Sequence, residues 1–205
     1  SGARPGWRAV GPRAGPRRPV THDDAVVAVF RALDAEGIPY MVVGSLASNF
    51  HGIPRSTLDA DFVMQLQSGQ LVRLEAALPP ELQLQSQGGF EAVTGTTRYL
   101  VTVAGSAFVC ELFVFSDDPH DQERFRRRER VRVLSQDAYV AAAEDMVITK
   151  LRWAQEAGRS KDRDDVRNML AVRGPDLDWA YIAGWTERHG TAALLADVRA
   201  SLPGN

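Results

Sequence analysis

Val42-Val43-Gly44-Ser45-Leu46-Ala47-Ser48-Asn49-Phe50-His51-Gly52-Ile53-Pro54-Arg55-Ser56-Thr57-Leu58-Asp59-Ala60-Asp61-Phe62-Val63 is the stretch from which the rest of the chain is read. An apolar run from Tyr40 to Val43 stops at Gly44, which predicts a buried strand ending in a tight turn. Ser45 to Phe50 then predicts a short helix, stopped by Gly52 and Pro54. A helix start offers unpaired backbone N–H groups and a positive dipole end, which suits a phosphate. Glycine lets the backbone come close to it. Leu58 to Leu66 predicts the next strand. Asp59 and Asp61 are two apart on it, so they share one face with Cα atoms about 6.5–7 Å apart. Two like charges on a half-buried strand repel each other unless something neutralises them. A divalent cation such as Mg²⁺ or Mn²⁺ does so with hard oxygen ligands.

A third acid stands in a similar setting. Glu111 is the only charge between Ala104 and Ser116. A lone carboxylate in a buried strand needs a partner. If that strand lies beside the Asp59–Asp61 strand, three carboxylates form one metal site.

Outward from this segment, the chain divides. Residues 1–20 are rich in Arg, Pro, Gly and Ala and have no apolar period, so they are read as a flexible basic extension. Thr21 is placed as an N-cap, with Asp23 and Asp24 in the first turn of a helix that Gly37 ends. Leu71 to Leu78 predicts a helix. Phe90–Val93, Arg98–Val103, Ala107–Phe115 and Val131–Leu134 predict strands. Beyond these the pattern turns helical: Ala141–Ala157, Ser160–Val172, Trp179–His189 and Ala192–Leu202. The expected architecture is therefore α/β (α+β). A small mixed sheet with flanking helices fills residues 21–134, and a helical part, residues 135–205, packs on it.

Bulk composition narrows the function. The chain has 205 residues and a net charge of −2, so no global basic field binds nucleic acid indiscriminately. The single cysteine, Cys110, cannot form an internal disulfide. No segment approaches the roughly 18 apolar residues needed to span a bilayer, and the basic N-terminus has no apolar stretch of the secretory kind. The expected location is the cytoplasm. No His/Cys cluster has zinc spacing. Ser45 has no His/Asp partner nearby for a hydrolase triad. His51, beside Gly52, reads as structural.

Gly-Ser, a short helix, then Arg-x-Thr-x-Asp-x-Asp resembles the signature of the DNA polymerase β-type nucleotidyltransferase superfamily. The long gap from Gly44-Ser45 to Asp59, holding Gly52 and Arg55-Ser56-Thr57, is similar to the AbiEii-type branch. That branch includes toxins of type IV toxin–antitoxin systems and minimal nucleotidyltransferases. The resemblance covers Tyr40 to Gln65 and returns at Ala143 to Leu170. It implies a nucleotidyltransferase fold. It also implies transfer of a nucleoside monophosphate from an NTP to an acceptor: RNA such as tRNA, a protein, or a small hydroxylated molecule. Gly44 and Ser45, with Arg55 and Thr57, would hold the nucleotide. Asp59 and Asp61 would bind metal, and Glu111 would be the third carboxylate, where aspartate is commoner.

Glu144 to Trp153 and Arg159 to Asp165 also resemble that branch, in which lysines face the phosphates from the helical side. Lys150 borders the stripe of Met146, Val147, Leu151 and Ala154, either facing the phosphates or covering apolar surface. Ser160 is placed as the cap of the next helix. Lys161 lies in the first turn, where the dipole disfavours a cation and an anion would remove the conflict. Asp165 either orients a lysine or acts as a base, or it pairs within its helix with Lys161, Arg163 or Arg167. Arg124 to Arg132 holds six arginines. The run reads as a solvated edge strand, or as a grip on a polyanionic acceptor. Two other readings stay open: an inactive nucleotidyltransferase-fold module that binds a protein partner, and a sugar- or nucleotide-binding α/β domain.

Overall fold

Thr21 opens helix α1 (His22–Ala35) with a reciprocal capping box: its hydroxyl takes the Asp24 amide, and the Asp24 carboxylate takes the Thr21 amide. The structure, a computed structural model, describes residues 18–93 and 95–202. Most of the 1–20 extension therefore lies outside the described residues. After α1 come β1 (Tyr40–Val43), α2 (Gly44–His51), β2 (Asp59–Met64), α3 (Gln70–Ala77), β3 (Leu82–Glu91), β4 (Thr96–Val103) and β5 (Val109–Val114). Then follow α4 (Pro119–Arg127), β6 (Glu129–Val133), β7 (Gln136–Val140), α5 (Ala143–Ala157), α6 (Ser160–Arg173), a 3-10 turn at Gly174–Asp176, α7 (Trp179–Arg188) and α8 (Ala192–Ala200).

The strands form one mixed sheet in the order β3-β4-β5-β2-β1-β7-β6. β2 runs parallel to β5 and antiparallel to β1, while β1 runs parallel to β7. Strand alternation sorts β2 into two faces. Phe62 on one face packs edge-on against Phe30 of α1, 5.7 Å between ring centroids. Asp59, Asp61 and Val63, on the opposite face, line a cavity shared with α5 and α6. The apolar core thus lies behind the acidic pair and fixes its direction. Among the described residues, no helix is long and apolar enough to cross a membrane. Cys110 is a buried free thiol.

Three local readings change. The strand placed at Phe90–Val93 is the far end of β3, which starts at Leu82. Its buried Leu82 and Leu84 alternate with exposed Gln83 and Gln85, a period-two signal hidden by the glutamines. The arginine run is not one strand. Asp118 caps α4 by accepting from the amides of His120 and Asp121, with Pro119 in the first turn, so Arg124, Arg126 and Arg127 are helical. Only Glu129 onward forms β6, which is the sheet edge. A two-residue turn at Leu134 and Ser135, both at positive φ, then returns the chain as β7. The sheet continues to Val140, and the helices begin at Ala143.

Candidate active site

β1 delivers the chain to Gly44, the first residue of α2. Gly44 has φ +60°, and a Cβ built on it would overlap the Asp61 carboxylate. Glycine is required twice here, once for the backbone conformation and once for the approach to Asp61. No side chain caps the start of α2, so its first-turn amides remain donors. Ser45 is buried, and its hydroxyl accepts from Arg55 Nη2 at 3.0 Å. That hydroxyl donates to no described residue, so its proton is left for a ligand.

Under the turn lie the acids. Asp61 of β2 is in register with Glu111 of β5, and both line a cavity of about 390 Å³ together with Asp59. Thr57 donates to Asp59 Oδ1 at 2.5 Å and holds that carboxylate from behind. Burial, then the neighbouring charges of Asp59 and Glu111, push the Asp61 carboxyl up to about 7, against the pull of Lys150 and Lys161. The floor of the cavity therefore carries negative charge in excess of its partners. Glu111 is engaged by Arg98, whose Nη1 lies 3.2 Å from Oε1 and 3.4 Å from Oε2. Among the described residues, no three His, Cys, Asp or Glu side chains close on one point as a ready-made metal cage.

The opposite wall is basic. Lys150 of α5 is buried and bonds Asp162 at 2.8 Å and Asp165 at 2.9 Å, both on α6. Asp165 also receives a two-nitrogen fork from Arg55, at 2.7 and 3.0 Å. Burial works against charge on Asp165, but the Arg55 bond and Lys150 hold its carboxyl below the usual carboxylate range. Lys161 is exposed on the cavity wall and makes no hydrogen bond or ion pair with another described residue. The residue before α6 is Arg159, and no side chain caps the helix, so Ser160 is not the cap. Arg159 lies over the Trp153 ring, 4.7 Å from its centroid, at the same cavity.

The fold recurs in solved structures. The antibiotic-resistance factor ANT(2'')-Ia in solution superimposes with a TM-score of 0.58 at 12% identity, over 85% of this chain and 96% of that one. Its crystal structure in complex with adenylyl-2''-tobramycin gives 0.57 at 14% identity, over 82% and 98%. An antigenic nucleotidyltransferase-like protein from Paracoccidioides brasiliensis gives 0.51 at 16% identity, over 90% and 95%. The chain has the nucleotidyltransferase fold. At these identities the likeness is one of fold. No family model and no curated protein matches the chain in sequence.

Within this nucleotidyltransferase fold, the residues singled out from sequence fall into two groups. Gly44, Ser45, Asp59, Asp61, Glu111, Lys150 and Lys161 line the cavity. Arg55, Thr57 and Asp165 do not; they stand behind it and hold Ser45, Asp59 and Lys150 in place. His51 is buried and bonds the Ala141 carbonyl at 2.7 Å, a structural tie between α2 and the end of β7. The arginine run is largely paired within the chain, and Arg124 of it reaches the cavity wall. Arg124 pairs with Asp121, and Arg127 with Asp145 and Glu144. Arg130 and Arg132 meet Asp137 across the β6–β7 hairpin. Arg98, Trp153 and Arg159 are cavity residues that sequence reasoning missed. An arginine on a strand's polar face, or one flanking a helix, carries no spacing signal of its own.

Proposed function

We propose that this protein is a metal-dependent nucleotidyltransferase that moves a nucleoside monophosphate from an NTP to a hydroxyl of an acceptor and releases pyrophosphate. One observation carries the reading. Asp59 and Asp61 share the floor of a cavity with the uncapped helix start at Gly44-Ser45, while Lys150 and Lys161 face them from the helical side.

The donor set suits Mg²⁺ or Mn²⁺. Magnesium is commonly held by one or two carboxylates together with substrate phosphates, so no closed protein cage is needed. The raised Asp61 carboxyl marks charge that a divalent cation relieves. Asp59 and Asp61 would hold the ion, with Glu111 in reach of the same cavity. When bound, the ion supplies charge neutralisation at the transferring phosphoryl group. The chain's own residues do the positioning. The α2 amides and the Ser45 proton receive phosphate oxygens. Lys161, which pairs with no other described residue, adds a cation at the start of α6. Arg55, fixed on Asp165, keeps Ser45 aimed and keeps Lys150 in register with the turn.

A small hydroxylated acceptor has support from the adenylylated tobramycin bound by ANT(2'')-Ia. An inactive module that binds a partner has one observation in its favour, the capture of Glu111 by Arg98. A label-transfer assay separates the two. The protein is incubated with each α-labelled NTP, Mg²⁺ and cell extract. Transfer of label by the wild type, lost in Asp61→Asn, supports the enzyme. A folded wild type inert with all four NTPs overturns it.

A further inference from the structure

Two arginines engage carboxylates around this cavity, and they do so differently. Arg55 meets Asp165 with two nitrogens at 2.7 and 3.0 Å, and the Asp165 side chain is only 3% exposed. That is the fork geometry of a strong, desolvated pair. Arg98 meets Glu111 with one nitrogen shared between both oxygens, at 3.2 and 3.4 Å, and its side chain is 38% exposed. These distances are long for a charge-assisted bond, and an exposed pair contributes little to stability. Moreover, Arg98 Nε is buried with no hydrogen-bond partner among the described residues. The guanidinium is thus tied to Glu111 through one nitrogen only, and its buried Nε is left unsatisfied in this position.

Its place in the sheet matters too. Arg98 is opposite Phe113, one same-face step along β5 from Glu111, which itself pairs with Asp61. The guanidinium thus neutralises the acid beside the Asp59–Asp61 pair. A cation at Glu111 and a guanidinium at Glu111 exclude each other by charge.

We propose that Arg98 is an exchangeable counter-ion: it occupies Glu111 in the free protein and leaves it for an anionic oxygen of the incoming substrate, so that cation and polyphosphate binding are coupled through this side chain. The proposal rests on the metal-site reading above. It names a positioning and specificity role for a residue that the sequence does not mark. Phosphate oxygens match the guanidinium fork, and a guanidinium that leaves Glu111 gains a partner for the Nε that is unsatisfied beside it. By linkage, whatever draws Arg98 away raises the cation affinity of the cavity, and the cation favours that ligand by the same factor.

The test is calorimetric titration of Mn²⁺ into the nucleotide-free protein. Arg98→Gln is expected to bind Mn²⁺ several-fold more tightly than the wild type. The gain is expected to vanish in Arg98→Gln/Glu111→Gln relative to Glu111→Gln, a double-mutant cycle that assigns it to this pair. Arg98→Lys, which keeps the charge, is expected to stay near the wild type. At saturating Mn²⁺, Arg98→Gln is expected to bind a non-hydrolysable NTP analogue several-fold more weakly. Equal Mn²⁺ affinity in wild type and Arg98→Gln, with binding lost in Asp61→Asn, overturns the counter-ion role and leaves the metal site standing. Tighter Mn²⁺ binding with unchanged analogue affinity overturns the coupling. Absence of Mn²⁺ binding in every variant overturns this proposal and the metal reading together.

Discussion

Gly44 and Asp61 compete for one small volume: a Cβ on Gly44 would overlap the Asp61 carboxylate, and Gly44 already holds φ +60°. The Gly44 turn and the acidic floor are thus packed against each other with no room for a side chain between them. Gly44→Ala is expected to cost at least about 1–2 kcal/mol from the backbone conformation alone, with more from displacing Asp61. Urea denaturation should show the lost stability. Calorimetry should show weaker NTP binding even at temperatures where the variant is folded.

Asp61→Asn removes a charge that burial, Asp59 and Glu111 all disfavour. Without divalent cation, the variant is expected to melt at a higher temperature than the wild type at neutral pH. Added Mg²⁺ should raise the melting temperature of the wild type and leave that of the variant unchanged. Nucleotide transfer should fall to background, since positioning and charge neutralisation carry this chemistry. A metal-free variant that melts below the wild type would argue that Asp61 is satisfied in the folded protein.

The two lysines of the basic wall should separate cleanly. Lys161 touches no described partner, so Lys161→Ala is expected to change stability by less than about 0.5 kcal/mol while weakening NTP binding. Lys150 is buried between Asp162 and Asp165. Lys150→Ala leaves buried carboxylate charge uncompensated and is expected to cost about 3 kcal/mol. Paired denaturation and binding measurements on both variants check this split.

His189 predicts an acid limb. Its Nδ1 is buried with no hydrogen-bond partner among the described residues. Burial, then Arg152 and His120, hold the imidazole down to about 4, from an ordinary value of 6.5. The folded state resists protonation there. The stability tied to His189 is therefore full above pH 6.5 and is lost as pH falls from 6.5 towards 4. His189→Gln is expected to flatten the melting-temperature profile over that window. His120, also held low by burial, keeps part of the slope.

What the sequence discloses follows the range of each interaction. The direction of Asp59 and Asp61 is local: period two on a strand with Ala60 and Phe62 turned to the core leaves them no other face. The need for Gly44 is local too, although its second reason, the Asp61 carboxylate, appears only in three dimensions. The position of Glu111 opposite Asp61 depends on β5 joining β2 in parallel register, and no pattern within either strand encodes that pairing. Arg55 and Asp165 look like ligand residues in a one-dimensional reading, because charge beside a motif suggests binding. Folded, they spend that charge on each other. Asp118-Pro119 was a readable helix start that the density of arginines after it obscured. The glutamine-rich β3 likewise disguised a plain alternation.

The Arg55–Asp165 pair joins positions 110 residues apart in the chain. During synthesis, a chain emerged only as far as Val140 contains every strand of the sheet and both aspartates, but neither Lys150 nor Lys161. Its acidic floor then has no basic wall. On the proposed function, nucleotide capture requires α5 and α6 to be docked and Asp165 to be closed on Arg55. Competence therefore waits for the last third of the chain, with one ion pair as its clasp.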